Sequence, residues 1–308
     1  MRKKVSIIGA GNVGATTAQF VAQSGIADAV LFDVVEGVPQ GKALDLAQAC
    51  PLWNSSSTIQ GTNSYSDTMG SDIVVITAGF PRKPGMSRSD LLHANAEVIR
   101  HASIEIAKTS PDSIIIVVTN PMDVMAQLAW KTTEFSCKRV MGMGGILDAA
   151  RLTAFLSWEL NVSPEDVEAL VLGGHGDEMV PLSRFTAVKG IPVTELLHKK
   201  RIEKLIDRTR KGGAEIVALL KSGSAYYAPA AATFQMIKSI LLDEKRLLPC
   251  AAYLNGEYGV KDLYMGVPAI LGKEGVEKII GIKLSKEERA EFRKSCASVR
   301  KLIKKLSI

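Results

Sequence analysis

Gly9-Ala10-Gly11-Asn12-Val13-Gly14 is the stretch on which the fold of this chain turns. A GxGxxG alone is a weak signal, because glycines are common in turns. Here the surroundings match a strand-turn-helix unit. The β-rich run Val5-Ser6-Ile7-Ile8 precedes it. Val13 to Ser24 follows with helical apolar spacing, closed by Gly25 in the C-terminal capping position. In that setting the first glycine permits the tight turn, the second lets a pyrophosphate approach the backbone, and the third lets helix and strand pack closely. The phosphates then meet free N–H groups and the positive end of the helix dipole. Ala29 to Asp33 reads as the second strand, and Asp33 falls 19 residues after Gly14. A carboxylate there accepts hydrogen bonds from the ribose hydroxyls of NAD and repels the 2′-phosphate of NADP, so the expected cofactor is NAD. Gly9, Gly11, Asn12, Val13, Gly14 and Asp33 are the cofactor residues this reading selects.

Outward from the motif, strands and helices alternate. A helix is expected near Gly41 to Cys50, a third strand at Ile73 to Thr77 and a fourth at Ser113 to Val118. Unbroken Ile/Val runs of this kind are buried on both faces, as in parallel sheets. The alternation predicts an α/β fold, a doubly wound Rossmann parallel sheet with right-handed crossovers. The second half has a different rhythm. Long helical stretches, Arg201 to Leu220 and Tyr226 to Leu242, precede strands joined at Asn255-Gly256, a hairpin signal, and Ser285 with Glu288 reads as a capping box. We therefore expect a NAD-binding Rossmann domain over 1–142 and an α+β catalytic domain over 143–308.

Bulk composition narrows the class. The 308 residues are 46% apolar, enough for a large core and against disorder. No apolar run approaches the roughly 20 residues that span a bilayer. Met1-Arg2-Lys3-Lys4 could open a signal peptide, but the apolar stretch behind it breaks at Gly9. The expected location is cytoplasmic, with no membrane partner. Cys50, Cys137, Cys250 and Cys296 are scattered, with no CxxC spacing, and read as reduced packing thiols. The net charge of +6 is spread out, and its clusters, Lys199-Lys200-Arg201 and Arg300-Lys301 with Lys304-Lys305, fall in helical stretches. Aromatics are only 6% of the chain and do not interleave with basic runs, which disfavours nucleic acid. His93, His101 and His198 lack ligand partners at useful spacing, so no metal site is expected.

Three further segments carry polar residues that a core would not choose. Thr77-Ala78-Gly79-Phe80-Pro81-Arg82-Lys83-Pro84-Gly85-Met86-Ser87-Arg88 leaves a sheet strand, holds two prolines and two glycines, and is basic. It emerges where open α/β sheets bind ligands. It reads either as a lid that brings arginines onto an anion or as a plain surface loop. Asp148 and Arg151, three apart, share one helix face, as a functional pair or an ordinary surface ion pair. His175, in Gly173-Gly174-His175-Gly176-Asp177, is flanked by glycines that leave it open to a substrate, although a lone histidine is commonly structural.

Taken together, GAGNVG, TAGFPRKPGMSRSDLL, VTNPMD, GILDAARL, GGHGDEMVPL and SGSAYYAPAAA, in this order and spacing, resemble the lactate/malate dehydrogenase family, on its lactate-dehydrogenase-like malate branch. The resemblance covers essentially the whole chain. It implies that His175 is the general base that takes the hydroxyl proton as hydride leaves for the nicotinamide, and the acid in reverse. It implies that Asp148 holds the histidine by its other nitrogen, as in hydrolytic triads. Arg151 would grip the substrate carboxylate in two-pronged fashion. Arg88 would polarise the ketone, and Asn120 would hydrogen-bond the substrate and the nicotinamide side. Thr77, Ala78, Gly79, Asn95, Val118 and Asn120 would line the cofactor. The family also implies self-association, as a dimer or tetramer.

The resemblance assigns substrate choice largely to Arg82, where lactate enzymes carry glutamine. Charge matching gives the reason. A four-carbon dicarboxylate, malate or oxaloacetate, needs two counter-charges in a dry site, and Arg151 and Arg82 supply them. Lactate would leave Arg82 unpaired. Met86 stands where lactate-type loops have an acid, and Gly223-Ser224-Ala225 looks like the malate-type lining. A lactate or other 2-hydroxyacid dehydrogenase is the alternative among enzymes, and a dinucleotide-binding sensor the alternative outside them.

Overall fold

The computed structural model describes residues 2–80, 88–221 and 223–306. The amino-terminal half contains β1 (Lys4–Ile8), α1 (Asn12–Ser24), β2 (Asp28–Phe32), α2 (Val38–Ala49), β3 (Ile59–Thr62), β4 (Ile73–Ile76), α3 (Arg88–Thr109), β5 (Ile114–Val117), α4 (Met122–Thr133) and β6 (Val140–Gly142). Its strands are parallel in the order β3-β2-β1-β4-β5-β6. The chain builds outward from β1 on one side and then returns to build on the other. The reversal leaves a crevice at the carboxyl ends of β1 and β4, where such sheets bind ligands. All residues of β4 and β5 are buried, as their unbroken Ile/Val sequence requires. Gly25 ends α1 in the left-handed conformation, φ 71°.

The carboxyl-terminal half contains α5 (Gly145–Leu160), β7 (Val167–Glu168), β8 (Val171–Gly173), β9 (Met179–Pro181), β10 (Ala187–Val188), β11 (Ile191–Pro192), α6 (Val193–Leu196), α7 (Lys199–Leu220), α8 (Tyr227–Leu241), β12 (Arg246–Asn255), β13 (Lys261–Gly272), β14 (Gly275–Ile279) and α9 (Lys286–Lys305). Here the strands pair antiparallel. The two halves share one sheet: β12 joins β6 at Ala251 and Gly142, and the order continues β12-β13-β8-β9, with β14 on β13. A Cβ at Gly142 would fall 2.0 Å from Met122 Sδ and 3.1 Å from the Ala251 Cβ, so a side chain at the junction would press on both neighbours. A small second sheet, β11-β10-β7, lies apart. The main core runs through both halves, from Val5 and Ile76 to Tyr264 and Phe292.

The hairpin at Asn255-Gly256 is wider than a two-residue turn. Five residues, Gly256 to Val260, separate β12 from β13, with Gly256 at φ 128° and Tyr258 at φ 55°. Glu257 accepts the Asn255 N–H at 2.7 Å, which favours the longer loop. The capping box of α9 is present: Ser285 N–H donates to Glu288 at 2.7 Å, and Glu288 N–H to Ser285 Oγ at 3.2 Å. Such caps contribute about 1 kcal/mol. Among the described residues no helix is long and apolar enough to cross a membrane, and no group of three metal-ligating side chains converges. The four cysteines are free thiols, three of them buried. His93 bonds the Ser89 carbonyl, and His101 packs edge-on to Tyr65.

Candidate active site

The cofactor motif occupies the crevice. The Gly9 N–H donates to the Phe32 carbonyl, and those of Thr77 and Ala78 donate to the Ile8 carbonyl, each at 2.8 Å, locking β1, β2 and β4 together at their ends. Thr77 Oγ1 donates to the Gly9 carbonyl at 2.9 Å and so braces the turn from beneath. The glycines have distinct causes. Gly9 has φ 109°, and a Cβ on Gly14 would fall 1.9 Å from the Gly9 carbonyl oxygen. At Gly11 an added Cβ meets nothing within 4 Å, so no described protein atom demands a glycine here and the backbone is open to a ligand. Gly11 and Asn12 are exposed, no side chain caps α1, and its first turn holds no acid. Those features fit an anionic group on the helix N-terminus. Asp33 accepts the N–H of Ala10 at 2.7 Å and that of Val35 at 3.0 Å. A carboxylate has about four acceptor sites, which leaves two for ribose hydroxyls. Lys42 on α2 donates to the Ala10 carbonyl at 2.7 Å.

The far wall comes from the ends of β4 and β5. Val118 N–H donates to Ile76 O at 2.9 Å, and Thr119 Oγ1 to Ala78 O at 2.6 Å. Asn95 is buried on α3. Its side chain accepts the Phe80 N–H and donates to the Asn120 carbonyl, each at 2.7 Å. Its amide therefore braces the two loops and shapes the wall from behind. Asn120 is exposed, and Gly79 is exposed at φ 157°, at the edge of the range that side-chain-bearing residues rarely adopt. Contact also requires it: a Cβ there would meet the Thr119 methyl at 2.6 Å. Arg82 and Met86 lie outside the described residues, and Arg88 is described only as the first residue of α3.

His175 sits in the turn after β8, between Gly173 (φ 86°) and Gly176 (φ 105°). Three elements hold this turn. Ser295 of α9 accepts the Gly174 N–H at 2.8 Å, and Asp123 of α4 accepts the His175 N–H at 2.8 Å. Asp148 of α5 bonds the ring at Nδ1, 2.9 Å away, leaving Nε2 as the free nitrogen. Arg151, one turn further along α5, has Nη1 3.5 Å from the other oxygen of Asp148. Burial opposes a charged ring. The charge and hydrogen bond of Asp148, with Asp123 adding, outweigh burial and Arg151 and hold the imidazole above its ordinary value. Burial likewise works against the charge of Arg151, and Asp148 sustains it.

Asp123 was not singled out by the sequence. It is 4% exposed, and burial first, then the Asp148 charge, push its carboxyl up to about 6 against the opposing pull of His175. A signal was available, since an acid in the apolar stretch Met122-Asp123-Val124-Met125-Ala126 is costly unless used. The arrangement as a whole can move one proton at Nε2 beside a guanidinium able to hold an anion.

Known proteins bear on this geometry. Residues 3–142 match the model of the lactate/malate dehydrogenase NAD binding domain, and residues 146–307 that of the lactate/malate dehydrogenase alpha/beta C-terminal domain. The chain is 56% identical to a malate dehydrogenase of Desulforudis audaxviator, over 100% of this chain and 99% of the other. Among solved structures, a Cryptosporidium parvum malate dehydrogenase is 44% identical with a TM-score of 0.97, covering 100% of this chain and 99% of that one. A Cryptosporidium parvum lactate dehydrogenase, complexed with lactic acid and nicotinamide adenine dinucleotide, has the same TM-score of 0.97 at 39% identity, covering 100% and 98%.

Proposed function

The chain belongs to the lactate/malate dehydrogenase family, and on that premise we propose that it interconverts (S)-malate and oxaloacetate as an NAD-dependent dehydrogenase. The observation that carries the proton chemistry is the buried Asp148–His175 pair at 2.9 Å, with Arg151 beside it. In malate oxidation His175 Nε2 takes the hydroxyl proton, and Asp148 stabilises the imidazolium that forms. In oxaloacetate reduction the imidazolium returns that proton to the alkoxide. NAD, when bound, supplies the hydride acceptor, and NADH the donor. Gly11, Asn12 and Val13 present their backbone to its phosphates, Gly9 and Gly14 shape the turn that allows this, and Asp33 presents its carboxylate to a ribose. Thr77, Ala78, Gly79, Val118 and Asn120 form the wall for its nicotinamide half, which Asn95 braces.

Arg151 holds the carboxylate next to the reacting carbon, Arg88 stabilises oxyanion charge, and Arg82 meets the far carboxylate. The preference for malate rests on that second positive charge and on the names of full-length relatives at 53–56% identity. Overall shape does not separate the substrates, because lactate and malate enzymes fit this chain equally well. The two sequence-defined units, 1–142 and 143–308, divide the work between cofactor and acid–base chemistry. The enzyme works in the cytoplasm as a dimer or tetramer. The decisive experiment is a ketoacid panel with NADH and NADPH in parallel. Fast oxidation of NADH by oxaloacetate, slow oxidation by pyruvate and a poor response with NADPH are expected. Equal rates with both ketoacids would remove the malate assignment.

A further inference from the structure

Asp123 does more than a brace requires. To hold the His175 N–H, any neutral acceptor suffices, and an asparagine or a backbone carbonyl would do so at a smaller desolvation cost. The protein instead buries a carboxylate in the first turn of α4, 4% exposed, with Oδ2 2.8 Å from the His175 nitrogen. Its other oxygen, Oδ1, is buried and has no hydrogen-bond partner among the described residues. Leaving such an atom unsatisfied is costly, and more so for a charged group. That cost is explicable if the charge is used.

We propose that Asp123 is a positioning residue for proton transfer at His175: one carboxylate both anchors the histidine through its peptide N–H and adds a second buried negative charge beside the ring. The proposal rests on the reading of His175 as the proton carrier. The charged neighbours are few. From α5 the histidine faces Asp148 and Arg151, and Asp123 itself feels Asp148. From α9, the Cys296 thiol is pushed up to about 11 by burial first, with Arg300 opposing and Asp123 adding. With the ring protonated, two carboxylates and one guanidinium surround an imidazolium. When the proton leaves, the two carboxylates face a neutral ring, and Asp123 becomes easier to protonate. Ionised Asp123 thus strengthens His175 as a base and weakens it as an acid. It takes no proton from the substrate.

Asp123→Asn tests this, because the amide oxygen can still accept the His175 N–H while the charge is gone. The expected result is an acid shift of about one pH unit in the midpoint of kcat/KM for oxaloacetate, with NADH affinity unchanged. A uniform loss of rate at every pH, with the midpoint unmoved, would reduce Asp123 to a brace and overturn the proposal. A second measurement needs neither the variant nor turnover. In the wild-type protein labelled at histidine carbon, the His175 Cε1 resonance should titrate in two steps, one of them near pH 6 where Asp123 ionises. A single inflection overturns the coupling. If His175→Ala kept near-normal turnover, the proton-carrier reading would fail instead, and the two-step titration would be untouched by that failure.

Discussion

Gly212 of α7 stands where the side chain of Arg151 of α5 runs: a Cβ added there would lie 3.2 Å from Arg151 Cδ and 3.5 Å from its Nε. The adjacent Gly213 would bring a Cβ 3.5 Å from Nη2. Two consecutive glycines inside a 22-residue helix weaken that helix by roughly 0.5–1 kcal/mol each relative to alanine. The space they leave is taken up by the guanidinium assigned to the substrate carboxylate.

Gly212→Ala should therefore displace Arg151 by a few tenths of an ångström without unfolding α7. We expect KM for oxaloacetate to rise roughly tenfold, since small misplacements of a positioning group are expensive. The melting temperature should hold or rise, and NADH affinity should be unaffected. Steady-state kinetics with a thermal melt reads all three. An unaltered KM would mean that Arg151 has room to spare or does not hold the substrate.

The two ends of the glycine motif should fail differently. In Gly14→Ala the new methyl group meets backbone, the Gly9 carbonyl oxygen at 1.9 Å, which cannot swing away. A stability loss of at least about 2 kcal/mol is expected by denaturant titration. Gly11→Ala meets no protein atom within 4 Å and should fold normally. It should weaken NADH binding by about tenfold, or 1.4 kcal/mol, measured by fluorescence titration. Normal NADH binding by a folded Gly11→Ala would move the pyrophosphate away from this turn.

The raised affinity of His175 for its proton sets opposite pH profiles for the two directions. Reduction needs the imidazolium, so kcat/KM for oxaloacetate is high at low pH and falls as pH rises through the histidine's value. Oxidation needs the neutral ring, so kcat/KM for malate rises through the same midpoint. That midpoint should lie above about 6.5, the ordinary imidazole value. Asp148→Asn removes the partner that lifts it. The midpoint should drop, and the rate should fall on the order of 10³–10⁴-fold, as when a carboxylate-held imidazole loses its carboxylate. A midpoint that stays fixed in that variant would dissociate Asp148 from the basicity of His175.

Arg82→Gln removes the charge assigned to the far carboxylate. Leaving a guanidinium unpaired against a monocarboxylate costs several kcal/mol, so its removal should relieve pyruvate and penalise oxaloacetate. The ratio of kcat/KM for oxaloacetate over pyruvate should fall by roughly two orders of magnitude, about 2.7 kcal/mol. A ratio that does not move takes Arg82 out of the specificity argument.

Local signals carried much of this protein into view. Gly9 to Gly14, the Ile/Val runs of β4 and β5, the Gly25 cap and the Ser285 capping box are each set by neighbours within a few residues, and each stands where the sequence placed it. Pairing between distant segments was not legible. The junction of β6 with β12 joins Gly142 to Ala251, more than a hundred residues apart, and no periodicity announces it. The short β7 to β11 strands are two or three residues long, below the length at which alternation can be recognised. Asp123 showed only half of its signal locally, an acid in an apolar stretch. Its burial is created by the His175 turn, which reaches α4 across 52 positions. The helix-face relation of Asp148 and Arg151 could be read from spacing alone, whereas the reach of His175 to Asp148 depends on the tertiary fold.

The strand ladder that passes from Gly142 to Ala251 also bears on heat and on engineering. Two separately recognisable sequence units contribute side chains to the main core, so melting of one should expose apolar surface of the other. Calorimetry should then record a single cooperative endotherm for the chain. A chain severed between residues 142 and 143 would present an unsatisfied strand edge on each fragment, and co-expression of the pieces would be needed to regain either one.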